Sequence, residues 1–188
     1  MRTSGFTITE GKNADLSKII SLYNELNTTL EKGVNYPSWK KHVYPNEETA
    51  IEGITTNTLY VIKDNDRVIG SIILNHCQYE AYKKLQWTVN AENNEIIVVH
   101  TLAVHPDYFG CGIAMMLMKF AVDLTYKKRM KAIRLDVSVN NHPAIKLYEK
   151  CGFTLVGEVD LGLNIPGLEL FKCYEKAILP FEFEVESD

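Results

Sequence analysis

The chain has 188 residues, 46% of them hydrophobic, and a formal net charge of −4. That fraction fills one core at the usual scale of a single domain, and a sequence pI near 5.8 leaves no broad basic surface for nucleic acid. No window approaches the ~18 apolar residues of a membrane span, and Cys77, Cys111, Cys151 and Cys173 lack metal-ligand spacing.

In chain order, a short strand FTIT precedes a helix that Asn13 can cap, with apolar positions Leu16, Ile19, Ile20, Tyr23, Leu26 and Leu30 at three- and four-residue steps and an end near Gly33. The segment NYPSWKKHVYPNEE reads as a loop, followed by a second helix from Glu47 to about Thr56. TLYVIKDNDRVIGSIILNH is two β-branched runs about an Asp-Asn-Asp turn and predicts an antiparallel hairpin, with the irregular QYEAYKKLQWTVNAENN behind it. EIIVVHTLAV is too apolar for a half-exposed strand and belongs in the middle of a sheet. If no bulge intervenes, alternation puts Val98, His100, Leu102 and Val104 on one face and Ile97, Val99, Thr101 and Ala103 on the other. Ile113, Met116, Leu117, Phe120 and Leu124 make one helical face, and Lys127, Lys128 and Arg129 suit that helix's C-terminal dipole. AIRLDVSV is a strand, NHPAIKLYEKCG a helix closed by Gly152, and FTLVGEVDLG and LELFKCYEKAI two final strands. The expectation is one soluble, cytoplasmic domain over residues 1–188, with a core of about 5–178 and an acidic tail at 180–188, reduced thiols and no metal. FEFEVESD could alternatively be an edge strand.

HPDYFGCGIA joins the central strand to the next helix, and its glycines and alanine remove the β-carbons that would hold backbone away from a ligand. Orphan N–H groups at the helix start then suit a diphosphate. A flexible connection is the competing reading of an isolated G-x-G. A Rossmann fingerprint fails because Met115 stands where a small residue is needed, and strand continues past Asp136. A Walker loop fails because no glycine precedes Lys and then Ser or Thr.

LAVHPDYFGCGIA and NNHPAIKLYEKCGF together resemble the GNAT superfamily of acetyl-CoA-dependent N-acyltransferases, specifically over about residues 95 to 156 and loosely over 5 to 178. The resemblance implies an α/β fold with a mixed, twisted sheet of about seven strands, helices on both faces, and a splay between strands 4 and 5. Its pyrophosphate motif, Arg/Gln-x-x-Gly-x-Gly/Ala, falls on Phe109, Gly110, Cys111, Gly112, Ile113 and Ala114, with Phe109 in place of the usual cation or amide. It implies pantetheine contacts from the backbone of Leu102, Ala103 and Val104 and from Asn141, and Tyr148 as proton donor to the CoA thiolate. A phenol of pKa ~10 beside a thiol of pKa ~8.5 suits that transfer, although a core tyrosine is the rival reading.

His100 and Asp136 are the candidate bases. HTLAVHP resembles arylalkylamine acetyltransferases, in which a histidine at the His100 position serves the proton path. Some protein N-terminal acetyltransferases carry a glutamate in the part of the strand where Asp136 lies, and a structural carboxylate is the alternative. Tyr36, Trp39, Tyr44 and Trp87 lie where the family builds its acceptor pocket, unless they serve only the core. The implied activity is acetyl transfer to a primary amine, on a small molecule or a peptide N-terminus, by a monomer or homodimer without metal, nucleic acid or membrane. The alternative is a catalytically weak acetyl-CoA-binding sensor or interaction module.

Overall fold

The computed structural model describes residues 6–165 and 168–178, so the tail at 180–188 lies outside the described residues. Seven strands form one mixed sheet: β1 Thr7–Glu10, β2 Leu59–Asp64, β3 Arg67–Asn75, β4 Ile96–Val104, β5 Ala132–Ser138, β6 Thr154–Val159 and β7 Phe171–Ala177. Their order is β1-β2-β3-β4-β5-β7-β6. Neighbours are antiparallel except β4 and β5, which run parallel. The near-continuous apolar run of β4 therefore sits at the centre, where both faces are covered.

Helices α1 (Leu16–Lys32) and α2 (Glu47–Thr55) pack on one face, where Ile19, Leu22, Tyr23 and Leu26 meet Leu59, Val61 and Ile73. The opposite face carries α3 (Ile113–Lys127) and α4 (His142–Lys150), packed on Ile69, Ile97, Val99 and Leu135. Full burial of each such aliphatic side chain contributes about 1.5–3 kcal/mol, so the two layers together dominate the fold's stability. Asn46 caps α2 by accepting the Thr49 N–H at 3.0 Å. Asn13 takes no such part at α1: it opens a 3-10 turn, Asn13–Asp15, in which the Asp15 carboxylate accepts the Lys12 N–H.

Two faces differ from the periodicity. In α3 the buried line is Ile113, Leu117, Met118, Ala121 and Thr125, while Met116, Phe120 and Leu124 flank it. Phe120 packs on Tyr60 of β2, 5.0 Å between ring centroids. In β4 a bulge does intervene. Ser71 faces Ala103 and Ile73 faces His100, so two steps on β3 are matched by three on β4. Thr101 takes up the extra residue at φ 45°, a left-handed conformation that costs a β-branched residue about 1–3 kcal/mol. The side-chain phase therefore reverses, and Leu102 and Val104 join Ile97 and Val99 on the α3 side while Ala103 packs toward α1.

Candidate active site

Strands β4 and β5 pair only from Ile96 opposite Ala132 to Val99 opposite Leu135. Beyond that point β4 stays with β3 as far as Val104, and β5 stays with β7 as far as Ser138. The sheet therefore opens in its middle, and His100 and Asp136 are the first residue of each wall. The His105 N–H donates to the Ile69 carbonyl at 2.9 Å. By alternation the backbone of Ala103 also faces β3, and the polar edges of Leu102 and Val104 face the gap.

At the mouth of the gap a 3-10 turn, Pro106–Tyr108, leads to Gly110 at φ 75° and Gly112 at φ 82°. A Cβ built on either glycine would meet nothing within 4 Å, so their small size is not demanded by packing within the chain. The N–H of Cys111 donates to the Tyr108 carbonyl at 3.2 Å and is spent. Among the described residues, those of Gly110, Gly112, Ile113, Ala114 and Met115 have no backbone acceptor before the Met116 N–H closes the first turn of α3 on Gly112. A row of free donors at the positive end of a helix, with glycine allowing close approach, fits a diphosphate. Phe109 is 52% exposed and adds no charge.

Asp136 sits on β5 where the strands part, and the Tyr82 hydroxyl donates to its carboxylate at 2.7 Å. Burial raises its pKa to about 6, with the Tyr82 bond and its own backbone N–H pulling the other way. The folded state thus holds the proton more tightly than the unfolded chain, so this group's contribution to stability is full below pH 4 and is lost as pH rises toward 6. Asp136→Asn, which keeps an acceptor for Tyr82 and never ionises, should raise Tm at pH 8 and leave it nearly unchanged at pH 4. Equal Tm shifts at the two pH values in differential scanning calorimetry would contradict this.

His100 Nε2 lies 3.2 Å from the Cys77 carbonyl, an arrangement that makes Nε2–H the donor and leaves Nδ1 as an acceptor. Burial lowers its pKa below the ordinary histidine value. Tyr148, on α4, is buried beside Phe153 and Tyr174 at centroid separations of 6.3 and 6.5 Å. Burial and then the Asp136 charge push its phenol far above the usual range, so it keeps its proton. Asn141 caps α4 by accepting the Ala144 N–H at 3.3 Å.

The aromatic residues divide. Tyr44 bonds through its hydroxyl to Thr101 Oγ1 at the bulge and packs edge-on against Trp39, 5.7 Å away. Tyr36 meets His142 at the start of α4 at 6.4 Å. Trp87 belongs to another layer: its indole N–H donates to the Tyr82 carbonyl, and the Arg134 guanidinium lies 4.1 Å over its ring. Tyr79 and Tyr82, in and before the 3-10 turn Glu80–Lys84, were not singled out by the sequence, although they bring phenols to Asp136. Their three-residue spacing within an irregular stretch was the only available signal. Thr101 stands at the bulge, where the alternation of the strand breaks. His105 shapes its loop, accepting the Asp107 N–H at Nδ1 and facing Glu25 at 2.8 Å.

The central sheet thus opens between two parallel strands, with free helix-start amides at its mouth and titratable groups along its walls. The model of the Acetyltransferase (GNAT) family matches residues 19–153, and the chain belongs to that family. Streptothricin acetyltransferase of Escherichia coli is 37% identical over 73 residues, 39% of this chain and 41% of that protein. N-alpha-acetyltransferase 30 of Schizosaccharomyces pombe is 30% identical over 94 residues, 50% of this chain and 55% of that one. The matches thus span about two fifths to just over half of these curated relatives. A GNAT family acetyltransferase from Streptococcus agalactiae 2603 has the same fold, with a TM-score of 0.75 at 18% identity, covering 94% of this chain and 97% of that one.

Proposed function

We propose that this protein transfers an acetyl group from acetyl-CoA to a primary amine by direct attack. The observation that carries the proposal is the gap between β4 and β5, with unblocked amides of Gly110 and Gly112–Met115 at its mouth. Acetyl-CoA supplies an acyl carbon activated as a thioester and a thiolate as leaving group. The free edges of Leu102 and Val104 would hold the pantetheine amides and, through N–H donation, the developing oxyanion. Tyr148 gives its proton to the departing sulfur; burial keeps the phenol protonated until the thiolate forms. Nδ1 of His100 or the Asp136 carboxylate takes the amine proton, directly or through water. Tyr44 and Tyr79, each about two-fifths exposed, line the approach on the same side, where Asp136 raises both phenols in addition to the larger effect of burial.

The acceptor side fits a small-molecule amine or a peptide N-terminus. All four cysteines are free thiols, and no helix among the described residues is long and apolar enough to cross a membrane, which agrees with a cytoplasmic location. Phe109 at the position of the family's usual cation favours one second reading, an acetyl-CoA sensor with weak catalysis. Thiol release measured across polyamines, amino acids, arylalkylamines, aminoglycosides and peptides, alongside Tm with and without acetyl-CoA, separates the readings. Turnover with one class supports the enzyme, and a Tm rise without turnover supports the sensor. No Tm rise at saturating acetyl-CoA would remove both.

If His100 is the base, kcat/KM should fall as pH drops through an ionisation below the ordinary histidine range, because its charged form is disfavoured by burial. His100→Gln should then abolish that acid limb. Retention of the limb in His100→Gln and its loss in Asp136→Asn would assign the proton path to Asp136, whose carboxyl titrates near 6.

A further inference from the structure

Three lysines converge where α4 ends against the first turns of α3. The Cys151 thiol, just past α4, touches Met115 Sδ at 3.4 Å, and Met115 carries one of the free amides of the α3 start. Lys119 lies one turn beyond Met115 on the same face of α3, since residues four apart stack on a helix. Lys150 adjoins Cys151 in the chain. Lys176, from β7, lies so close that a Cβ added to Gly152 would meet its Nζ at 2.7 Å. The thiol senses all of them: burial raises its pKa, and Lys176, Lys119 and Lys150 in that order pull it down.

Among the described residues, none of these three lysines forms an ion pair. Glu149, the acid next to Lys150, is turned to the Tyr174 hydroxyl at 3.2 Å. The negative end of α4 accounts for Lys150 and for Lys176 beside it. It does not account for Lys119, which sits in the first half of α3, where the dipole offers a cation nothing. In a chain of net charge −4, three neighbouring cations with no ion-paired acid among the described residues suit a multiply charged anion.

We propose that Lys119, Lys150 and Lys176 bind the 3′-phosphate of CoA, a phosphomonoester dianion joined through one ribose to the diphosphate. This rests on the acetyl-CoA reading above and adds to it that, with no cation at Phe109 in the diphosphate loop, lysines on three other elements supply positive charge to a second anionic group of the same ligand. The seam at Cys151 touches the side chain of Met115, whose amide belongs to the diphosphate nest, so the two anionic groups of one ligand would meet neighbouring donors. The 3′-phosphate then decides between CoA and its 3′-dephospho form, which the amide nest alone cannot do.

Isothermal titration of the full chain with CoA and with 3′-dephospho-CoA tests this without any turnover. CoA should bind about tenfold or more tightly at low ionic strength, and the preference should shrink as salt is added, because these are surface charges. In the triple variant Lys119→Gln, Lys150→Gln, Lys176→Gln the two Kd values should converge on that of 3′-dephospho-CoA, whose own Kd should not change and so reports an intact fold. Equal Kd values in the unaltered protein would overturn the inference while leaving the acetyl-CoA reading in place. A triple variant that keeps the full preference would do the same. Binding of neither ligand would overturn both.

Discussion

Tyr148→Phe should lower kcat by roughly tenfold to a thousandfold, the usual range for removing a general acid, with acetyl-CoA affinity nearly unchanged. The phenol is buried on the inner side of α4, and both burial and the Asp136 charge resist its ionisation. Such a group keeps its proton through the neutral range and is set there to donate it. Its ring contacts with Phe153 and Tyr174 survive in phenylalanine, so Tm should move little. A large fall in kcat with an unchanged Tm and an unchanged Kd therefore isolates the hydroxyl. Unaltered turnover would remove Tyr148 from the chemistry and leave the thiolate to be protonated by solvent.

Gly112→Val should weaken acetyl-CoA binding by at least tenfold, and by more than any single lysine substitution at the α3–α4 seam. Gly112 sits at φ 82°, where a β-branched residue is strained by about 1–2 kcal/mol or more, and the space its side chain would enter is the space in front of the free amides. Relief of the strain by rotating the backbone would turn those N–H groups away from the mouth of the gap. Either route removes donors. A Kd within twofold of the unaltered protein, by titration, would mean that the loop after β4 does not hold the diphosphate.

The parts of this molecule legible in its sequence are those determined locally. The apolar run of β4, the small residues after it, and the step from Asn141 to Tyr148 each carry their signal within about ten residues, and each lies where the pattern put it. Features that depend on a distant partner were not legible. The bulge at Thr101 exists because β3 has one residue fewer to offer, and no alternation within β4 reports that count. Tyr82 reaches Asp136 from 54 residues away in the chain, through an irregular segment that has no periodicity to read. Trp87 is held by Arg134, 47 residues on, and by the Tyr82 carbonyl, contacts that no local pattern reports. The free cations at the seam come from three separate elements, and only packing shows that they meet.

The left-handed residue at position 101 also acts as a lock on sliding. A regular strand can shift by two residues and bury the same alternate side chains, but β4 has one phase up to His100 and the other from Leu102, so any shift along β3 would expose part of one set. Only one alignment buries both halves. The β4 wall of the cleft is therefore fixed by covalent order before any ligand arrives, although its edge at Leu102 and Val104 has no strand beside it. A ligand entering there meets a pre-set ladder and does not have to order this strand, so the free energy of its contacts on that wall is not consumed in shaping it.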